Sequence, residues 1–159
     1  MITLEIEAED PRWDAVADRD RLLQQAADAT FAVLPGASRA DLAATLLLAD
    51  DATVRVLNRH WRDEDKATNV LSFPSPALPG PASAPAGIGD VVLAYETVAR
   101  EAAAEGKTLP DHAAHLVVHG LLHLLGHDHL ADEEAEAMER LEVLALARLG
   151  IADPYRTPA

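Results

Sequence analysis

The order of apolar and polar residues along the chain predicts short strands that alternate with amphipathic helices. An apolar residue at every second position is typical of a half-buried strand, whereas apolar residues three and four positions apart form one stripe of a helix. Alternation predicts a strand over 2–7, and short, largely apolar stretches predict strands over 41–49, 69–73 and 89–95. The sequence also predicts helices over 19–33, 51–60, 96–105, 110–125 and 131–149. Because 41–49 is rich in Ala and Leu, a helix is an alternative there.

This mixture of elements predicts an α+β fold with about four strands and about five helices. A chain of 159 residues has the length of one domain, so residues 1–159 are expected to fold as a unit. Residues 74–87 hold most of the prolines and are predicted to form an irregular exposed loop inside that domain.

The charge balance narrows the possible partners. Thirteen basic against 27 acidic residues give a net charge of −14, which argues against a DNA-binding or membrane-surface protein. The acidic residues concentrate in 1–34 and 111–150, whereas 35–74 is close to neutral. The acidity therefore leaves room for one small basic surface.

Cysteine and targeting signals add further limits. The absence of cysteine excludes disulfides, thiol nucleophiles and cysteine-based zinc sites. The first residues alternate apolar and acidic side chains, unlike a secretory signal, and no apolar run has the length of a membrane span. We therefore expect a cytoplasmic protein.

Histidines are the most informative residues, since six of the seven lie between 112 and 129. His119 and His123 are four positions apart on a predicted helix, so both imidazoles can reach one ion. Gly126 ends that helix, and a turn there can bring His129 to the same point. Three imidazoles with one open position are typical of a catalytic zinc site, with one ion per chain, although other late transition metals also suit such ligands. For the first two histidines alone, a solvated or packed pair is the alternative.

Neighbouring residues are assigned supporting roles. His115, one turn earlier, is expected to contact one of the metal-binding side chains or to pack in the core. It is not expected to bind the metal, because a fourth ligand would close the site. Asp128 is expected to orient an imidazole or to form a turn, with proton acceptance as a further role. The His spacing matches that of metzincin proteases, but Gly120 stands where those enzymes have their general base, so a proton acceptor must come from elsewhere. His112 and His127 are expected to be exposed.

A row of cations runs through the near-neutral stretch. Arg55, Arg59 and Arg62 have helical spacing that places them on one face, and Lys66 follows past the helix end. Since guanidinium groups bind phosphate through paired hydrogen bonds, these residues are candidate RNA phosphate contacts. The alternative is a solvated face in which Arg55 and Arg59 pair with Asp51 and Asp63.

Three ordered motifs resemble those of the YbeY-type rRNA maturation endonucleases. They are HLVVHGLLHLLGHDH at 115–129, LNRHWRDEDKATNVLSFP at 57–74 and GDVV at 89–92, and the resemblance extends over most of the chain. This sequence departs from the family's usual Tyr at His127 and its usual Pro at Ala67. Neither departure removes a proposed ligand.

The resemblance implies a small mixed sheet with a zincin-like metal helix, and a zinc ion held by His119, His123 and His129. It singles out Arg62 as the important arginine near the metal. It implies a cytoplasmic, zinc-dependent endoribonuclease of single-stranded RNA that acts in 3′-end maturation of 16S rRNA and in ribosome quality control. The expected partners are rRNA and the ribosome or small-subunit assembly proteins.

Two other functions stay open at this point. One is a metal-stabilised ribosome-assembly factor that binds without catalysis, and the other is a zinc hydrolase of peptides or small molecules. The absence of a carboxylate at Gly120 counts against peptide hydrolysis. Because few phosphates can be neutralised by so acidic a chain, we expect weak RNA affinity with a shallow salt dependence.

Overall fold

The computed structural model describes residues 1–34, 41–75, 85–127 and 131–155. The strands are β1 (Ile2–Ala8), β2 (Leu42–Ala49), β3 (Val70–Pro74) and β4 (Ala86–Ala94). The helices are α1 (Arg19–Val33), α2 (Asp51–Arg62), α3 (Tyr95–Glu105), α4 (Leu109–Leu124) and α5 (Asp132–Arg148). A 3₁₀ turn over Pro11–Ala15 joins β1 to α1. Within these ranges the predicted α+β fold is confirmed.

The sheet is mixed, with strand order β1-β2-β4-β3. β1, β2 and β4 are parallel, and β3 runs antiparallel to β4 at the edge. In register, Leu46 of β2 lies opposite Ile6 on one side and Val91 on the other. β2 is therefore a central strand with neighbours on both sides. Such strands carry nearly continuous apolar sequence, which explains why the 41–49 pattern was also compatible with a helix.

The two faces of the sheet are covered by apolar clusters of different size. The larger core lies between one face and α1, α4 and α5, with Leu46, Leu93 and Leu122 among its fully buried members. On the other face α2 packs through Val54 over Leu71 and other residues of a smaller cluster. A groove of about 670 Å³ runs beside α2. Trp61 lines this groove and is 65% exposed.

Local interactions set the ends of α2. Asp50 caps its N-terminus, since the side chain accepts a hydrogen bond of 2.8 Å from the Thr53 backbone N–H. Asp63, in the left-handed region at φ 57°, ends the helix directly after Arg62. The helix is thus two residues longer than predicted, and Arg62 is its last residue.

β4 begins at Ala86, three residues earlier than predicted, and its glycine allows close approach to β3. Gly89 has φ +135°, and a Cβ there would lie 2.2 Å from the Phe73 carbonyl oxygen. Only glycine fits this contact, which accounts for the Gly of the GDVV motif.

In the part of the chain that the structure describes, no helix combines the length and the apolar character that crossing a membrane requires.

Candidate active site

α4 brings two of the predicted ligands together. The Nε2 atoms of His119 and His123 are 3.1 Å apart, and their ring centroids are 4.6 Å apart. Two nitrogens bound at about 2.0–2.1 Å to a tetrahedral zinc would be about 3.3 Å from each other. The separation of the pair is therefore close to the one that a shared metal ion requires.

The other two predicted members of the centre, His129 and Asp128, lie outside the described residues. Among the residues that the structure does describe, no group of three His, Cys, Asp or Glu side chains could hold a metal. His119 and His123 are thus two of the three predicted ligands, and the third stays a prediction.

A buried carboxylate lies behind the histidine pair. Glu142 of α5 is fully buried, and its Oε1 is 2.6 Å from Nδ1 of His119. Its Oε2 is 2.8 Å from Nε2 of His115 and also accepts a hydrogen bond from the Tyr155 hydroxyl. Burial alone would raise the pKa of Glu142, but the hydrogen bonds from His115 and His119 outweigh it and lower the pKa to about 2. Glu142 is therefore ionised at neutral pH.

Tyr155 lies in the segment after α5 and folds back against α4. Its ring makes an edge contact with His115, with 5.7 Å between the ring centroids. Burial and the hydrogen bond to Glu142 raise the pKa of the Tyr155 phenol, so it keeps its proton and acts as a donor. Sequence reasoning missed both residues. Glu142 had a signal, since it falls on the same helical stripe as the buried Met138 and Ala145, whereas Tyr155 had none.

His112 belongs to a second histidine–carboxylate pair on α4. It is buried, and its Nε2 is 2.9 Å from Oε1 of Glu101 on α3, which also accepts a hydrogen bond from Asn69. The prediction of an exposed His112 is wrong, because α3 packs against this side of α4. His127 is half-buried and lines the cavity beside His119, so it is not fully exposed either.

Arg62, the last residue of α2, also lines this cavity. Its Nη2 donates a hydrogen bond of 2.7 Å to the Ser72 carbonyl oxygen, and its Cζ lies 5.6 Å from the centre of the Phe73 ring. Arg62, His119 and His123 all line one cavity of about 910 Å³. The cavity thus combines metal-binding nitrogens with a guanidinium suited to phosphate.

β3 joins the two halves of this arrangement. Ser72 accepts from Arg62 through its carbonyl, and its hydroxyl donates a 3.2 Å hydrogen bond to the Gly120 carbonyl of α4. A Cβ on Gly120 would lie 2.8 Å from Cγ1 of Val91 and 3.2 Å from Oγ of Ser72. No side chain fits at Gly120 without a shift of the sheet, so the missing carboxylate has a packing reason.

The other cations of the basic row have acidic neighbours. Arg55 forms an exposed ion pair of 2.8 Å with Asp65, and the guanidinium holds the pKa of Asp65 below its usual value. Lys66 lies 3.7 Å from Glu64. The alternative pairing of Arg55 with Asp51 is wrong, because Arg55 pairs with Asp65 instead, and Asp51 accepts hydrogen bonds from Thr97.

Only part of that row reaches the cavity. Among the described residues that line it, Lys66 is present with Arg62, whereas Arg55 and Arg59 are not. Their assignment as phosphate contacts stays a prediction.

Comparison with known proteins places this chain in a family. The sequence profile of the family described as "Endoribonuclease YbeY" matches residues 6–150. A protein of Azorhizobium caulinodans with that name is 50% identical over 156 residues, which cover 98% of each chain. One from Erythrobacter litoralis is 51% identical over 162 residues, covering 96% of each chain.

A solved structure supports the fold. The solution structure of TM1509 from Thermotoga maritima superposes with a TM-score of 0.54 and 19% identity, covering 99% of this chain and all of the other. That likeness concerns architecture alone. The profile match and the identity to the two named relatives show that the chain belongs to the Endoribonuclease YbeY family.

Proposed function

We propose that this chain is a zinc-dependent endoribonuclease that hydrolyses phosphodiester bonds of single-stranded RNA. The observation that carries the proposal is the cavity that His119, His123 and Arg62 line together. Membership of a family named for endoribonuclease activity supports the same reaction class. An imidazole pair beside a guanidinium suits a phosphodiester better than a neutral substrate, because the guanidinium pairs with an anion.

Three histidines would hold the metal, namely His119, His123 and His129. Imidazole nitrogens are natural zinc ligands, and three of them leave one coordination position for water or substrate. When bound, zinc supplies a Lewis acid that polarises the phosphodiester and lowers the pKa of water to about 7. Asp128, next to His129 in sequence, would orient an imidazole or form a turn, with proton acceptance as a further role.

Arg62 binds and orients the substrate in this proposal. A guanidinium has five N–H donors, and the hydrogen bond to the Ser72 carbonyl fixes the group at the cavity edge. Its remaining donors suit the non-bridging phosphate oxygens, where negative charge increases in the transition state. The hydrogen bond from Arg62 to β3 therefore holds a positive charge at the cavity that the histidines also line.

The proposed substrate is rRNA, cleaved in 3′-end maturation of 16S rRNA and in ribosome quality control in the cytoplasm. With a net charge of −14, and with Arg55 and Lys66 already beside acidic side chains, the protein has few cations for phosphates. Free RNA is then bound weakly and with a shallow salt dependence. The ribosome or small-subunit assembly proteins would supply the substrate choice.

The test compares cleavage of ribosomal RNA by purified wild type, His119→Ala and Arg62→Ala. His119→Ala should abolish cleavage through loss of metal, and Arg62→Ala should lower kcat by about 10²–10³-fold, as loss of one transition-state donor does. Arg62→Lys keeps the charge without the planar fork and should fall between. Arg21→Ala, on the exposed side of α1, removes one positive charge elsewhere and should cleave as wild type does.

Cleavage at the wild-type rate by His119→Ala or Arg62→Ala would assign the activity to a contaminant or another site. If purified wild type binds ribosomes but cleaves no RNA, the non-catalytic assembly factor becomes the correct description. Turnover of a peptide library would instead favour the hydrolase alternative, which the packing at Gly120 argues against.

A further inference from the structure

We propose that Glu142 is a positioning residue that holds His119 in the orientation and tautomer required for metal binding. The proposal rests on the proposed function in one respect, since it takes His119 to be a zinc ligand. Glu142 is 23 positions away in sequence and on another helix, yet its Oε1 lies 2.6 Å from Nδ1 of His119. The spacing of the histidines from 119 to 129 does not predict this contact.

Hydrogen-bond chemistry fixes which nitrogen of His119 carries the proton. A carboxylate can only accept, so Nδ1 of His119 must be the donor in this contact. In a neutral ring the other nitrogen, Nε2, then carries the lone pair that a ligand bond needs. Nε2 is the atom that lies 3.1 Å from the corresponding atom of His123, on the side of the proposed metal. Outer partners of this kind orient metal-binding histidines in many proteins.

The second oxygen of Glu142 is held from two directions. His115 lies one turn before His119 on α4 and contacts Oε2 at 2.8 Å, and the Tyr155 hydroxyl donates to the same atom. With Oε2 held by two partners and Oε1 facing His119, the carboxylate has a fixed rotation behind the imidazole. Glu142 therefore acts through His119 and does not itself become a ligand that would close the site.

α4 carries a built-in control for this role. His112 forms the same type of pair with Glu101, at 2.9 Å, one turn before His115. Unlike His119, His112 is absent from the described residues that line the 910 Å³ cavity. Loss of the Glu101 contact removes a part-buried histidine–carboxylate pair that involves the same helix, without touching a proposed ligand.

The experiment measures zinc affinity by chelator competition for wild type, Glu142→Gln, Glu142→Leu, Tyr155→Phe and Glu101→Gln. Loss of an outer partner weakens metal binding by about 10–100-fold, which is the expectation for Glu142→Leu. Glu142→Gln keeps one acceptor and should weaken binding less, as should Tyr155→Phe, which removes only a donor to Oε2. Glu101→Gln should bind zinc within about twofold of wild type, because its contact is not transmitted to His119.

A second measurement reads His119 directly in metal-free protein. Two-bond ¹H–¹⁵N correlation spectra, recorded above the ordinary histidine pKa of about 6.5, report which ring nitrogen is protonated. We expect the proton on Nδ1 in wild type, Tyr155→Phe and Glu101→Gln, and its partial transfer to Nε2 in Glu142→Leu. A merely structural Glu142 would not change this signature while the near-UV circular dichroism stays native.

Three results would overturn the proposal. The first is zinc affinity of folded Glu142→Leu within twofold of wild type, and the second is an equal loss in Glu101→Gln. The third is a wild-type His119 that is protonated on Nε2. If Glu142→Leu does not fold, unchanged affinity in both Glu142→Gln and Tyr155→Phe has the same consequence. Absence of zinc binding by wild type would instead defeat the proposed function, while the tautomer comparison would still decide the role of Glu142.

Discussion

The two faces of the sheet differ in how firmly they hold their half of the candidate site. On one face α4, which carries His119 and His123, contributes ten buried residues to the structure. On the other face α2, which ends at Arg62, contributes two, Val54 and Asn58. The histidines therefore lie on a helix that is built into the main core, whereas the arginine lies on a helix that few buried residues anchor.

This difference corresponds to two separate tasks, metal binding and substrate contact. Metal ligands need fixed mutual distances, and a helix buried in a close-packed core provides them. A group that contacts a long, flexible substrate tolerates more movement, and regions with few buried contacts open locally at lower free energy than the core. We expect the α2 face to loosen before the α4 face does.

The largest change in stability is expected when a leucine is truncated on each of the two faces. Leu122→Ala removes a fully buried side chain of α4 and should lower the free energy of unfolding by about 2–5 kcal/mol. Leu57→Ala, on the half-buried side of α2 beside the open groove, should cost less than about 2 kcal/mol. Urea denaturation followed by circular dichroism measures both. Equal losses would remove the contrast between the faces.

The second effect concerns the contact between α4 and the sheet. Gly120→Ala gains helix propensity of about 1 kcal/mol but places its Cβ 2.8 Å from the stiff, buried Val91 side chain. Overpacking of this kind costs about 1–3 kcal/mol, so a net destabilisation of about 1 kcal/mol is expected.

A double-mutant cycle with Val91→Ala checks the cause of that loss. Removal of the Val91 methyls should make Gly120→Ala less costly than in wild type, because those methyls are the groups it meets. A Gly120→Ala protein as stable as wild type would show that the sheet can shift, and that the α4 face is less rigid than proposed.

A third experiment, with the smallest expected effect, tests how far the N-terminal cap of α2 stabilises that helix. Asp50→Ala should lower the free energy of unfolding by about 1 kcal/mol, since the Thr53 N–H loses its acceptor. Hydrogen bonds from the Thr53 side chain and backbone lower the pKa of Asp50. The contribution of the cap is therefore complete above the ordinary Asp pKa of about 3.9 and is lost as pH falls through the lower folded pKa.

Asp50→Asn is the control for that experiment, because asparagine caps a helix and does not titrate. The difference in stability between wild type and Asp50→Asn should change only at acidic pH. A difference that changes between pH values well above the Asp pKa would assign the effect to another group.

Most elements could be predicted from sequence, and the discrepancies have local causes. Among the described residues, period-two alternation, short apolar stretches and helical stripes predicted the four strands and five helices, because these patterns reflect which side chains each element buries. Element ends were less certain: α2 extends to Arg62 because Asp63 adopts a left-handed conformation. β4 starts early because Ala86 and Gly87 already pair with Leu42 and Ala43 of β2.

The site was predicted where spacing along one helix determines it, as for His119 and His123. Contacts between elements have no such spacing, so the partners Glu142, Tyr155 and Glu101 were not foreseen. Glu142 could have been noticed as a carboxylate on an apolar stripe of α5. Arg62 stood out from Arg55 and Arg59 only through resemblance, since its bond to Ser72 depends on how β3 packs beside α2.

The acidity of the chain also affects the two edges of the sheet. β1 is one edge, and Glu5 and Glu7 are exposed along it; β3 is the other, only five residues long and ending at Pro74. Unpaired strand edges are templates for aggregation, and charged side chains, short length and proline all oppose pairing with another copy. Mutual repulsion at a net charge of −14 acts in the same direction. Carboxylates that disfavour nucleic acid thus also keep an incompletely covered sheet from self-association.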